Sequence, residues 1–398
     1  MCLQGKESES TKSNTLNNSN TMNNNTMKNN DANANANTPS SSSAAQRKKL
    51  SFRTTSRHSH SFSQVSTHFI TGTFLSLCIA VLGAYMPFFL APEAALATYQ
   101  FAGFGYDADL SHFDNTPWTW ATDYGLALVM ACLIFSFPKT CYTTTTATTT
   151  TIAHVHVRRS QGMLACYMIS VFAGGLAHQF YTTLESRGYL SFRILWIICV
   201  GTVTAAPAFM GSIATELNHL DREITQQAAT TKETSSSSST IITMIPAIPA
   251  WIWSAYAVCS TLIVAWGGMS YQRPACDIFM AGVTQTPSTF YVMLVLGYGL
   301  QQHYHFGRSI SKWTRLIGAV GFILNAPLLP MYPMLVQYTD WSLGSVNALL
   351  HAWLCVAWST QGLCLRKVAM ALDEYDNYHQ HEENQQQQVK VEEDRKTK

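Results

Sequence analysis

The sequence predicts an all-α protein, a polytopic transmembrane helix bundle with about eight spans. Of its 398 residues, 47% are apolar or aromatic and only 12% are charged, about half the charged share of an ordinary soluble domain. The charges are also unevenly spread, because 34 of the 48 lie in four polar segments. These segments are 1–66, 139–160, 215–245 and 366–398. A collagen, a secreted disulfide scaffold and a nucleic-acid-binding domain are excluded by this composition, so no nucleic-acid partner is expected.

Apolar runs of about 20 residues, enough for a helix to cross the hydrocarbon layer of a bilayer, define the spans. The eight runs are 68–91, 118–138, 161–183, 190–213, 247–269, 287–306, 314–336 and 344–364. The first run is free of charged residues, whereas the seventh contains Pro327, Pro330 and Pro333. Proline is tolerated in such a helix when neighbouring groups satisfy the carbonyls that it frees.

Lysine and arginine predict the orientation, since they accumulate on the cytoplasmic side of membrane proteins. Alternate threading of eight spans from a cytoplasmic N-terminus puts 22 of the 25 basic residues on the cytoplasmic side. The three on the far side are Arg187, Arg193 and Arg273. An odd number of spans would destroy this separation. We therefore predict an integral membrane protein with both termini in the cytoplasm; the sequence does not name the membrane.

The polar segments are predicted to carry little structure. Residues 1–66 are rich in Asn, Ser and Thr and have too few apolar groups for a core, so disorder is expected. Residues 139–160 and 215–245 are expected to be flexible loops of the transmembrane domain 67–365, and 366–398 a disordered charged and Gln-rich tail. No apolar run opens the chain, so no cleavable signal is expected. Seven of the ten cysteines lie inside predicted spans, which argues against a disulfide framework.

Ionisable residues inside the spans are the functional candidates, because a charge in hydrocarbon is costly. Asp123, His178 and His351 fall in different spans but at the same predicted outer depth. Each lies on a helical stripe of polar or small residues. The stripes are Asp123, Ala127 and Ala131; Cys166, Ser170, Gly174 and His178; and Asn347, His351, Cys355 and Ser359. We therefore predict one polar pocket lined by Asp123, His178, Asn347 and His351.

One carboxylate and two imidazoles are chemically sufficient to bind zinc and activate a water, so His178, His351 and Asp123 are candidate metal ligands. The simpler interpretation is that each histidine makes a hydrogen bond between helices. Asp123 could also cap its own helix behind Thr122, or pair with Arg193 at the same depth. Six tryptophans near span ends are expected to form interfacial belts. These are Trp118, Trp120, Trp251, Trp253, Trp266 and Trp341.

The segment GGLAHQFYTTL, together with NALLHAW in the last span, resembles the CREST superfamily of intramembrane hydrolases, which includes alkaline ceramidases and progestin/adipoQ receptors. The resemblance implies a seven-helix core behind an added N-terminal anchor, with His178 and His351 as zinc-binding histidines. Three positions depart from the family pattern. Gly174 replaces its serine, Asn347 replaces the first histidine of its final pair, and Tyr189 stands where its aspartate would be.

The sequence assigns no definite activity to this membrane protein. Two functional hypotheses follow from it. The first is a zinc-dependent intramembrane hydrolase of lipid amides or esters. The second is a transporter, receptor or sensor that uses the intramembrane Asp and His side chains to bind a lipid or small-molecule ligand or to relay protons. The incomplete ligand set weighs against an enzyme. The absence of an internal repeat and of matching broken helices weighs against a transporter. The sequence does not predict the oligomeric state.

Overall fold

The computed structural model describes residues 116–138, 151–231, 245, 248–270, 278–298, 310–325, 331, 335 and 338–397. Within these ranges the regular elements are α-helices, which confirms the all-α class. They are α1 (Pro117–Phe135), α2 (Ile152–Phe180), α3 (Leu184–Gly188), α4 (Leu190–Thr231), α5 (Ala250–Ser270), α6 (Ile278–Tyr298), α7 (Lys312–Ile323) and α8 (Leu343–Lys396). The predicted first span, 68–91, and the N-terminal segment 1–66 lie outside the described residues.

Hydrogen bonds and close contacts between helices show in which direction each helix runs. Helix α2 runs antiparallel to α1, because Tyr124 at the start of α1 reaches Gln179 at the end of α2, whereas Gln161 at the start of α2 reaches the Ile134 carbonyl. Helix α8 runs parallel to α1. Near their beginnings Thr122 meets His351, and near the end of α1 Leu133 lies beside Gly362.

The remaining long helices continue the alternation. Helix α4 runs antiparallel to α2, and α5 runs antiparallel to α4. Helix α6 runs parallel to α4, since Gln285 donates to the Val203 carbonyl and Asn218 donates to Tyr291 farther along both helices. Helix α7 is antiparallel to α8. Helices α1, α2 and α4 to α8 therefore alternate in direction along the chain.

In the part of the chain that the structure describes, five helical segments are long and apolar enough to cross a membrane. They are Pro117–Phe135, Ile152–Phe180, Leu190–Arg222, Ala250–Met269 and Gly344–Lys396. Large apolar side chains cover their outer faces, including Leu128, Phe172, Ile194, Leu262 and Val356. Such a surface is costly in water but favourable against lipid chains. The protein is accordingly a membrane protein, with its packed core in the middle of the bundle.

Three helices extend into segments that the sequence predicted to be flexible or disordered. Helix α2 begins at Ile152, inside the predicted loop 139–160. Helix α4 continues to Thr231, inside the predicted loop 215–245, and α8 continues to Lys396, inside the predicted tail 366–398. At the start of α2 and in the first turns of the α8 extension, the reason is packing that composition does not reveal. His156 is buried in α2 and bonds to the Leu365 carbonyl of α8, and Asp376 accepts from the Ala153 amide. These contacts hold the start of α2 against the extension of α8.

Close approach between α4 and α5 corrects one aromatic assignment. Trp253, expected in an interfacial belt, is only 2% exposed. Its ring packs directly against Gly211, where any side chain would collide with it, and its Nε1 donates to Thr215 Oγ1 at 3.1 Å. A bonded indole next to a glycine belongs to a helix interface rather than to a bilayer surface. The belt residues Trp118, Trp251, Trp266 and Trp341 are at least half exposed.

Candidate functional site

A buried carboxylate and an imidazole meet near one end of the bundle, between α1 and α8. Asp123 Oδ1 lies 3.1 Å from His351 Nε2, and the two side chains are 4% and 16% exposed. The other ring nitrogen, Nδ1, lies 2.7 Å from Thr122 Oγ1. Thr122 and Asp123 are consecutive on α1, so neighbouring positions of one helix hold both nitrogens of the imidazole.

The geometry restricts where protons reside. A carboxylate oxygen accepts, so Nε2 must carry a proton when it bonds to ionised Asp123. In a doubly protonated ring Nδ1 also donates, to Thr122 Oγ1, and the Thr122 hydroxyl is then free to donate to the Trp118 carbonyl at 2.6 Å. In the neutral ring Thr122 must instead donate to Nδ1 and give up that carbonyl. With ionised Asp123, the imidazolium form therefore lets both ring nitrogens and the Thr122 hydroxyl donate at the same time.

Glycines on α2 allow the Asp123 side chain to enter the helix interface. A Cβ at Gly175 would lie 3.1 Å from Asp123 Cβ and 2.7 Å from the Tyr124 ring. A Cβ at Gly174 would lie 3.6 Å from Asp123 Oδ2 and 3.4 Å from Cys199 Sγ on α4. The carboxylate is consequently enclosed by α1, α2, α4 and α8. Gly174 lies on the predicted small-residue stripe of α2, whereas the tightest approach is at Gly175, the residue after it.

His178 lies one turn beyond Gly174 on α2, at the same end of the bundle. Its ring is half-buried and faces the edge of Trp196 on α4, with ring centroids 6.3 Å apart. Asn347 is half-buried one turn before His351 on α8. The four predicted pocket residues therefore share one end of the bundle. The direct contact found among them joins Asp123 to His351.

The zinc set predicted from Asp123, His178 and His351 is not assembled. Among the residues that the structure describes, no group of three or more His, Cys, Asp or Glu side chains is arranged to hold a metal ion. A zinc site needs at least three protein ligands, each about 2 Å from the metal. Asp123 and His351 bond to each other instead, while His178 packs on Trp196. The donor set present does not fit a catalytic zinc.

The structure also bears on two other interpretations of Asp123. Helix α1 begins at Pro117 with Thr116 as its N-cap, so Asp123 lies inside the helix and is not a cap. Arg193, considered as its ion-pair partner, directs its guanidinium to the carbonyls of Gly188 and Met269 at 3.1 and 3.5 Å. The contact with His351 thus defines the setting of the Asp123 carboxylate.

A second polar cluster in the centre of the bundle was not predicted. Tyr167 stacks on Trp358 with ring centroids 4.1 Å apart, and its hydroxyl donates to Gln361 Oε1 at 3.4 Å. Gln361 in turn donates to the Gly321 carbonyl at 2.9 Å, which links α2, α8 and α7. A search of the sequence for charged residues inside the spans does not select Tyr or Gln, because both side chains are neutral at pH 7. Tyr167 lies three and seven residues before the stripe residues Ser170 and Gly174, and this helical spacing was the available signal.

Comparison with known proteins adds no relative. No family model, curated protein or solved structure matches this chain.

Proposed function

We propose that this protein is a proton-responsive receptor, sensor or transporter, in which Asp123 and His351 form the titratable centre of a ligand pocket. The observation that carries the proposal is the 3.1 Å contact between a carboxylate and an imidazole that are both largely removed from water. Ionisable residues inside a membrane protein are costly and are kept mainly for function. Histidine is also the side chain whose charge ordinarily changes near physiological pH.

The placement of the pair supports coupling between protonation and conformation. The Asp123 carboxylate is surrounded by four helices, and loss of the His351 proton would leave it beside a neutral ring. An unpaired buried charge costs several kcal/mol. A change of protonation therefore favours a different packing of α1 against α8. A small molecule that entered between these helices and bonded to either group would have its affinity linked to pH.

We propose that this pocket faces the non-cytoplasmic side and that both termini are cytoplasmic. The helix directions put Arg158, Arg159, Arg222 and Arg366 at the end of the bundle opposite to Asp123. The positive-inside rule assigns an arginine-rich end to the cytoplasm. The pair would then sample the pH of the extracellular space or of an organelle lumen.

The test is a pH titration of the thermal unfolding midpoint in nanodiscs for the wild type, Asp123→Asn and His351→Gln. Both substitutions keep a hydrogen-bonding group of similar size but remove the charge. We expect the wild-type midpoint to vary between about pH 5 and pH 8, the interval around the ordinary histidine value. Both variants should lose that component of the profile.

Glu185→Gln is the matched control, because Glu185 is exposed at the same end of the bundle. It should retain the wild-type profile. Identical profiles in all four proteins would refute a proton-responsive pair. Stoichiometric zinc in the purified wild type, lost in His178→Ala and His351→Ala, would refute the proposal in favour of a metal-dependent hydrolase.

A further inference from the structure

An arginine at the opposite end of the bundle is buried, and the described part of the structure shows no hydrogen-bond or ion-pair partner for its side chain. Arg315, in the first turns of α7, is 9% exposed. Its Nε and Nη1 atoms are enclosed, and nothing bonds to them in the structure as described. The side chain is not completely enclosed, since 9% of the residue's surface remains exposed. An unpaired buried cation costs several kcal/mol, which makes an anionic partner the expected complement.

The surroundings of Arg315 are suited to an anion. Helix α7 starts at Lys312 behind the N-cap Ser311, whose Oγ accepts from the Thr314 amide at 3.1 Å. The dipole of α7 adds positive potential at this end of the helix. Lys312 itself is exposed.

Helix α8 adds a further cation to this corner. Gly318, one turn beyond Thr314, packs directly against Cys364 of the antiparallel α8. Lys367 lies three residues after Cys364 on the same side of α8 and is exposed. The corner between α7 and α8 therefore collects Lys312, Arg315 and Lys367. Among the described residues of α7 there is no acidic side chain to offset them.

The depth of the corner matches that of lipid headgroups. Trp313, beside Arg315 in sequence, is 70% exposed, as is typical of an interfacial aromatic anchor. Leu316 and Ile317 follow with about half of their surface exposed, and they continue the lipid-facing side of α7. The corner also lies at the same end as Arg158, Arg159, Arg222 and Arg366. Anionic lipids and basic residues are both characteristic of the cytoplasmic leaflet.

We propose that the corner formed by Lys312, Arg315 and Lys367 binds a phosphate group, with the Arg315 guanidinium as its principal ligand. Guanidinium binds phosphate oxygens through paired charge-assisted hydrogen bonds, and the lysines add charge at the rim. Phosphate chemistry is shared by phospholipid headgroups and free inorganic phosphate, so the experiment separates these sources. The site is independent of the Asp123–His351 pair, which lies at the other end of the bundle.

The experiment measures lipid binding to the full chain in a neutral maltoside detergent by native mass spectrometry, for the wild type and Arg315→Gln. The probes are phosphatidylserine, phosphatidylcholine and inorganic phosphate at matched ionic strength. We expect at least about tenfold weaker binding of phosphatidylserine to Arg315→Gln, the loss expected when charge-assisted hydrogen bonds are removed. Lys390→Gln, an equal charge change on the exposed part of α8, should bind as the wild type does.

Thermal unfolding without any phosphate supplies a second readout with a distinctive sign. Arg315→Gln should unfold at a higher temperature than the wild type in lipid-free detergent, because the variant lacks the unpaired buried cation. Added phosphatidylserine should remove or reverse this difference. If inorganic phosphate alone reproduces the wild-type stabilisation, the bound species is free phosphate. Equal affinity of both proteins for all three probes would overturn the proposal.

Discussion

At the scale of residues, Asp123 and His351 should stabilise the protein as a pair, so that removal of either side chain alone is costly. Either side chain alone would be a polar group enclosed by helices, and the cost of that orphaned group exceeds the value of the contact itself. We predict that Asp123→Ala lowers the free energy of unfolding by about 3 kcal/mol. The double variant with His351→Ala should be less destabilised than the two single effects combined, by about 1–3 kcal/mol.

Chemical unfolding of the four proteins in mixed detergent micelles measures this cycle. A parallel cycle between His351→Ala and Glu185→Ala is the control, since Glu185 is exposed and does not line the Asp123 contact. That cycle should be additive within about 0.5 kcal/mol. Additivity between Asp123 and His351 as well would mean that the contact contributes nothing to stability.

The same pair shows what the sequence could and could not predict at a candidate site. Helical spacing and alternate threading brought Asp123 and His351 to one depth and pointed both toward protein, because a charge cannot face lipid cheaply. They could not choose a partner for each. His178 occupies an equivalent position on its stripe but faces Trp196, and only the rotation and tilt of α2 against α4 decide that outcome.

At the scale of elements, the extension of α8 should divide into a docked part and a free part. Leu372 is fully buried, Tyr375 is 9% exposed, and Asp376 Oδ2 accepts from the Ala153 amide at the start of α2. The residues around Val389, by contrast, are mostly exposed. A carboxylate at the N-terminus of a helix is stabilising because it meets both free amides and the helix dipole.

We therefore predict that truncation after Asn377 leaves the thermal unfolding midpoint close to that of the full chain. Truncation after Met370 should lower it by several degrees, because it removes Leu372, Tyr375 and the Asp376 cap together. Asp376→Ala in the full chain should give a smaller decrease, equivalent to about 1 kcal/mol for the loss of a cap. Equal midpoints for both truncations would contradict docking of the extension on α2.

The helix boundaries also show where sequence patterns stop being informative. Apolar runs located α1 and α5 to within a few residues, because the hydrocarbon layer sets both their length and their composition. They missed the first turns of α2 and the extensions of α4 and α8, where polar residues are helical outside any apolar run. The first turns of α2 and of the α8 extension are held by contacts such as that of His156 with the Leu365 carbonyl, which join residues more than 200 positions apart.

At the scale of the whole molecule, the alternating helix directions predict that two parts of the chain lie on opposite sides of the membrane. The loop between α2 and α4, which holds the exposed Glu185, lies at the Asp123 end of the bundle. The extension of α8 lies at the start of α2, as its Asp376 contact shows. Helix α2 has 29 residues, about 43 Å at 1.5 Å per residue, which is enough to separate the two across a bilayer.

We predict that protease sites inserted after Glu185 and after Lys390 are cut from opposite sides of sealed vesicles of known orientation. The site after Lys390 should be cut from the cytoplasmic face, because the basic residues accumulate at that end. If neither site is cut until detergent is added, both sites are inaccessible in the vesicles. A tag at residue 20 therefore provides an independent cytoplasmic marker. If the Glu185 and Lys390 sites are cut from the same side, the helix directions are contradicted. If they are cut from opposite sides but the Lys390 site is cut from the non-cytoplasmic face, only the cytoplasmic assignment is contradicted.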